Sequence, residues 1–233
     1  MILISQWYEP LCVKREEELK GARAHNESSG IFDRVHYVSG ERKRWTFGEL
    51  FEIARSEYSG KVCVVANTDI VFDATASLIP MVCRPNRIVA LTRWEGRSSP
   101  NMLGHLMAVD GRLNENWMFS GMQDTWAFIG GSLPPLKEDV PLGVPCCDHA
   151  LLAKMARAGC EVISPSMDIR TYHLHESTQD YRGAQVVCGE YAYPKMTTVS
   201  DSDGFVLLHN CPCIKCNEGD GVLRHTLFPT CGT

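Results

Sequence analysis

The run Val62-Cys63-Val64-Val65-Ala66 constrains this chain more than any other feature. Five consecutive apolar residues, rich in β-branched valine, show no polar alternation, so a strand built from them must be covered on both faces. Such strands belong to sheets sandwiched between helices. The run stops at Asn67-Thr68-Asp69. Residues i and i+2 of an extended segment project to one side, so Asn67 and Asp69 are expected to face one ligand together. Open α/β sheets bind ligands at this carboxyl edge. A hard cation bridging a diphosphate takes one or two such oxygens and leaves its other positions to phosphate and water. The competing reading is a strand-end turn in which the amide and the carboxylate cap local backbone.

The flanking pattern fits the same class. Met1 to Ser5 reads as a buried first strand, and residues 13–25, charged at helical spacing, as a solvated helix. Arg34 to Val38 is a second strand. Thr46-Phe47-Gly48-Glu49 has the form of a capping box opening a helix that Ser59-Gly60 ends. A short helix near Ala74–Pro80 with Asp73 as its cap, a strand Arg87–Thr92 and a strand Asp124–Ile129 follow. Residues 96–122 hold little periodicity and read as loops. Asp148 opens a helix through Ala158, closed by Gly159, and Cys160–Ser164 and Ile169–His175 are extended. Alternating strands and helices predict an α/β fold with a mostly parallel sheet. From about Gly183 the pattern weakens, so the expected organisation is a domain over 1–182 and an irregular, Cys-rich extension over 183–233.

Hydrophobic residues make up 44% of the 233, enough for a core, and the formal net charge of −5 argues against coating nucleic acid by bulk charge. No apolar run approaches a membrane span, and the first residues lack a signal-peptide pattern. A soluble, cytoplasmic protein is expected, whether cellular or virus-encoded. Eleven cysteines, an odd count without a secretory signal, argue against a full disulfide framework. Cys12, Cys63, Cys83, Cys160 and Cys188 sit among apolar residues and read as small core hydrophobes. His209, Cys211, Cys213, Cys216, His225 and Cys231 offer a tetrahedral Zn²⁺ set that would staple the tail, although the spacing fits no standard finger.

Taken in order, the first strand, Asn-Thr-Asp-Ile-Val-Phe-Asp, Arg-Trp-Glu, Gln-Asp-Thr-Trp-Ala-Phe, a Cys-Asp opening a helix, and Arg-Thr-Tyr-His-Leu-His resemble the GT-A-type nucleotide-sugar glycosyltransferases. The similarity is to a group of small proteins from viral, bacterial and plant genomes, and it covers about residues 1–182. It implies a Rossmann-like sandwich, a nucleoside-diphosphate sugar donor such as a UDP-sugar, and Mn²⁺ or Mg²⁺. Asn67-Thr68-Asp69 falls on the family's Asp-x-Asp motif with an amide in place of the first acid. Asp148 falls where inverting members carry a catalytic base. His173 or His175 falls where members supply a late metal ligand, and Gln6 and Tyr8 fall where the nucleobase is cradled.

The residues supply their own chemistry beside this. Asp69 and Asn67 suit metal and diphosphate, since a divalent ion neutralises charge on a leaving phosphate. Alternation puts His173 and His175 on one face, and imidazole suits Mn²⁺, although strand histidines also serve as packed hydrogen-bonding groups. Asp148 at a helix N-terminus is an N-cap or a base, its environment there expected to lower its pKa. Asp124 is the rival base. Arg93 and Arg170 suit phosphate, and Trp94 and Trp126 suit a sugar or a base, unless the tryptophans are core. The hydroxyl acceptor stays open between a hydroxymethylated pyrimidine in DNA, a glycan and a small molecule. Arg42-Lys43-Arg44 and Arg84, Arg87, Arg93 and Arg97 are candidate phosphate contacts for the first. Two other functions remain: a sugar-nucleotide nucleotidyltransferase, whose Gly-rich basic loop is missing after Ser5, and a zinc-containing binding module acting through the tail.

Overall fold

The computed structural model describes residues 1–10, 12–40, 44–95, 105–106, 122–136, 139–174, 187–201, 204–210 and 226–229. The core is a nine-stranded sheet. Its strands are β1 (Ile2–Trp7), β2 (Arg34–Ser39), β3 (Val62–Ala66), β4 (Ile70–Phe72), β5 (Arg87–Glu95), β6 (His105–Leu106), β7 (Gln123–Ile129), β8 (Glu161–Ile163) and β9 (Thr171–His173). The order is β2-β1-β3-β7-β5-β9-β4, with β6 and β8 also paired to β5. Helices α1 (Val13–Ser28), α2 (Phe47–Glu57), α3 (Ile79–Val82) and α4 (Cys147–Arg157) complete the layers, with a 3₁₀ turn over Ala74–Leu78.

The α/β class holds, but the sheet is mixed rather than mostly parallel. β1 runs parallel to β2 and β3, and β5 to β8 and β9. The pairs β3–β7, β5–β7, β4–β9 and β5–β6 are antiparallel. The cause is β7, which lies at the centre of the sheet and runs antiparallel to both its neighbours, β3 and β5. Val64 and Val65 are fully buried on opposite faces, in two different core clusters, as the unbroken apolar run requires.

Helix α2 starts as its sequence predicts. Thr46 accepts from Glu49 N, and the Glu49 carboxylate accepts from Thr46 N. Asp73 caps the 3₁₀ turn, accepting from Thr75 N at 2.9 Å. The expected solvated helix over 13–25 is different in kind. Arg15, Leu19, Ala22 and Asn26 form a buried seam along α1, at a spacing that brings one side of the helix onto β4.

The C-terminal extension is not irregular where it is described. Strands β10 (Glu190–Pro194), β11 (Phe205–Asn210) and β12 (Thr226–Pro229) form an antiparallel sheet. Ala192, Val206 and Leu208 share the core cluster of Trp126, Leu151 and Val162. Of the cysteines expected in the core, Cys63 and Cys160 are buried and Cys83 is half-buried, whereas Cys12 and Cys188 are exposed. Cys12 precedes the exposed Val13 and Lys14 that open α1, and Cys188 precedes β10, so neither lies on a core-facing position. Among the described residues no helix is long and apolar enough to cross a membrane.

Candidate functional site

Just past the carboxyl end of β3, at the amino end of the antiparallel β7 and in the first turn of α4 stand three aspartates, Asp69, Asp124 and Asp148, with His173 at the carboxyl end of β9. The side chains of Asp69 and Asn67 engage different partners. Residues 67–70 form a turn closed by Ile70 N donating to Asn67 O at 3.2 Å, so the extended-chain rule that would align their side chains does not apply. Asn67 turns to β7, where its Nδ2 donates to Asp124 Oδ1 at 2.5 Å. Asp69 is 5% exposed, and its Oδ2 takes a hydrogen bond from the Arg15 guanidinium and lies 2.9 Å from His173 Nε2. Its backbone carbonyl accepts from Leu174 N at 2.9 Å, and Arg15 continues to Glu18 at 2.9 Å. Burial lowers the Arg15 pKa, but Asp69 and Glu18, with a smaller part from Tyr8, together outweigh it, so the guanidinium is held more firmly charged than in water.

Asp124 is the second hub. Arg93 Nη1 donates to its Oδ2 at 2.8 Å, so an amide and a guanidinium together fix both carboxylate oxygens. Asp148 lies within electrostatic reach of it at the second position of α4, not at the N-cap. The cap is Cys146, in the left-handed region at φ 66°. The expected lowering of the Asp148 pKa is reversed. Burial, and then the negative charge of Asp124, push the carboxyl up to about 8, outweighing the backbone N–H groups that favour the ionised form. Its side chain keeps 15% of its surface open, and His149 Nε2 lies 3.5 Å away. Neighbouring Cys147 is no rival nucleophile, because burial pushes its thiol up to about 12.

The other candidates divide. Gln6 Oε1 accepts from Trp45 N at 3.2 Å, and its amide packs so closely on Gly40 that a Cβ there would meet Nε2 at 2.3 Å. Thr68 turns inward, its hydroxyl donating to Gln6 O at 2.5 Å. Tyr8 is half-buried and adds a small field at Arg15. Trp94 alternates away from Arg93. Its Nε1 donates to Ser166 O at 3.2 Å, and the exposed Arg170 stacks 4.9 Å above its ring. Trp126 is core, stacked edge-on with Phe47 at 4.6 Å. Arg87 is spent on a bidentate pair with Glu161 at 2.7 Å, and Arg93 on Asp124, so these two arginines of the suggested phosphate-tracking set are not a free basic face. Arg42, Lys43, Arg97, His175, Cys211, Cys213, Cys216, His225 and Cys231 lie outside the described residues, as does the side chain of His209.

A divalent ion is what the resemblance implies at Asp69 and His173. The donor set as it stands does not fit one. Arg15 already supplies the positive charge at Asp69 Oδ2, and an ion there would meet the guanidinium at contact range. Among the described residues no group of three or more His, Cys, Asp and Glu side chains is arranged to hold a metal. Arg15 is the residue that sequence reasoning missed, because in a helix full of charges nothing distinguishes the one arginine that points inward.

A scan of protein-family models gave no match to the chain, and a search of curated protein sequences gave none either.

Proposed function

We propose that the chain is a glycosyltransferase that moves a sugar from a nucleoside-diphosphate donor to a hydroxyl acceptor. The observation that carries the reading is the Asp124–Asp148 pair. One carboxylate is locked by Arg93 and Asn67, and the other, with His149 Nε2 3.5 Å away, is partly open and raised to about 8. A base with a pKa near the working pH accepts a proton from an alcohol more readily than an ordinary carboxylate does. In the reaction, Asp148 takes the acceptor hydroxyl proton as the acceptor oxygen bonds to the anomeric carbon. The bond from that carbon to the phosphate oxygen breaks, and its electron pair leaves with the nucleoside diphosphate. Arg15 and His173, held at Asp69, are the cationic or donor groups proposed to meet that charge. The ordered motifs shared with the GT-A-type enzymes support the same reading, and the mixed sheet is compatible with it.

The test is calorimetric titration of UDP, GDP, TDP, CDP and ADP into the full chain, with Mn²⁺ and with EDTA. One base is expected to bind, and Asp148→Asn is expected to bind it equally while losing donor hydrolysis and transfer. Binding that survives EDTA would agree with the positive charge already supplied by Arg15. No binding of any nucleotide under either condition would sink the proposal.

A further inference from the structure

The turn that delivers Asp148 into α4 has almost no regular structure of its own, yet it is tied down on one side by a single short segment. Arg44 Nη1 donates to Leu142 O at 3.0 Å and to Gly143 O at 2.8 Å. Next to it, Leu142 N donates to Trp45 O and Phe47 N to Val140 O, both at 2.9 Å. Asp139 closes the far end, accepting from the Thr46 hydroxyl at 2.5 Å and from Gly48 N at 2.9 Å. Gly143 takes φ +67°, and a Cβ there would meet Arg44 Nη1 at 3.3 Å, so the backbone is shaped around the guanidinium. From Val144 the turn closes on itself through Cys147 N to Val144 O at 3.0 Å, and Asp148 is the next residue. The segment that holds the turn is also the one that donates to Gln6 through Trp45 N.

We propose that Arg44 is a positioning residue for Asp148, fixing the 142–147 turn so that this carboxyl stays beside Asp124 and mostly out of water. The kinetic consequence rests on the glycosyl-transfer reading; the structural one does not. One guanidinium bridging two carbonyls is a charge-assisted, geometrically specific tie. Its loss leaves two main-chain acceptors without that donor and frees the turn to move toward solvent. The groups facing Asp148 are then easily named. They are Asp124 of β7 with its Arg93 of β5, and His149 and Cys147 of its own helix; Tyr191 and Tyr193 of β10 stack on His149. On β8, Glu161 is engaged with Arg87. Of these, Arg93 is engaged with Asp124 and His149 lies 3.5 Å from Asp148, so the proposed effect of opening the turn is hydration of the carboxyl.

The experiment follows the carboxyl carbon of Asp148 by NMR in full-length chain labelled at aspartate, assigned by its absence in Asp148→Asn. In Arg44→Ala the Asp148 titration midpoint is expected to fall by about one pH unit or more, toward the ordinary carboxylate range, as water reaches it. Arg44→Lys, which keeps the charge and N–H donors without the planar guanidinium's reach, is expected to fall between. Where turnover is measured, Arg44→Ala is expected to lower kcat by about 10-fold or more, the scale of an ångström-level misplacement, with unchanged nucleotide Kd. An unmoved midpoint in folded Arg44→Ala overturns the proposal. If that variant fails to fold, an unmoved midpoint in Arg44→Lys does so. A wild-type chain without transfer activity whose midpoint still moves in the variants would refute the transferase reading and leave the positioning role standing.

Discussion

At Asp148 what the proposed reaction asks of the carboxyl works against stability. The carboxyl titrates at its ordinary value of 3.8 in the unfolded chain and is pushed up to about 8 in the folded one. Below 3.8 both states hold the proton, and nothing is lost. Between the two values only the folded state keeps it, so stability falls as pH rises, and above about 8 the loss is complete. Asp148→Asn should therefore be more stable than the parent at pH 8.5, by an amount on the order of a few kcal/mol, and nearly equal to it at pH 4. Urea unfolding at the two pH values reads this directly, and an equal increment at both would refute the buried, proton-binding carboxyl. The same titration predicts that transfer activity rises with pH up to about 8 and then levels. A pH–rate profile already flat by pH 6 would transfer the role of base to Asp124. Both aspartates are visible in the sequence as candidates. The sign of the shift is not, because it depends on a neighbour 24 residues away and on burial, neither of which local composition encodes.

Helix α1 carries the next lesson at the level of elements. Strand β4 ends the sheet order beside β9, and an edge strand leaves a row of backbone groups to satisfy. Asn26 Nδ2 donates to Ile70 O at 2.8 Å, and His25 Nε2 meets Phe72 O at 2.7 Å, so two side chains of α1 stand where another strand would. Asn26→Ala removes the donor from a buried carbonyl and should lower stability by about 1–3 kcal/mol in denaturant unfolding. A change below a few tenths would mean that water replaces the amide. Toward the other end of α1, Arg15 is held by Asp69 and Glu18 with only 10% of its side chain exposed. Asp69→Ala is therefore not neutral to the fold, since it strands a buried guanidinium. It should cost about 3–5 kcal/mol, and Arg15→Met in the same chain should recover part of it. That helix was legible as a helix from its charges. Its inward face was not, because Arg15 and Asn26 sit at two of the four seam positions and break the apolar stripe that periodicity relies on. The direction of β7 was hidden for a related reason. Apolar strands carry no mark of direction, and the sequence 96–122 ahead of β7 has no periodic pattern.

Across the whole molecule the question is whether the C-terminal residues are an appendage or part of the folding unit. Strand β10 lies along α4, anchored by the bidentate Arg157–Glu190 pair at 2.6–2.7 Å and by the rings of Tyr191 and Tyr193 against His149. Strand β11 puts Val206 and Leu208 into the same cluster as Trp126 and Leu151, and Thr197 N donates to Ser164 O at 2.8 Å just beyond β8. Each of those two side chains stabilises the core by about 1.5–3 kcal/mol through burial alone. Their loss would also leave β10 without β11, the strand it pairs with among the described residues. A chain cut after residue 204 should thus lose most of a typical domain stability of about 5–15 kcal/mol rather than shed a tail. Full-length protein should melt in one transition, and the shortened chain should be digested by a dilute protease at a temperature where the parent resists. A shortened chain that melts at the parent temperature would make the extension separable and leave Asp148 to be held by the Arg44 side alone. One transition in the parent and none in the shortened chain would place the C-terminal sheet among the supports of α4, whose first turn carries the proposed base.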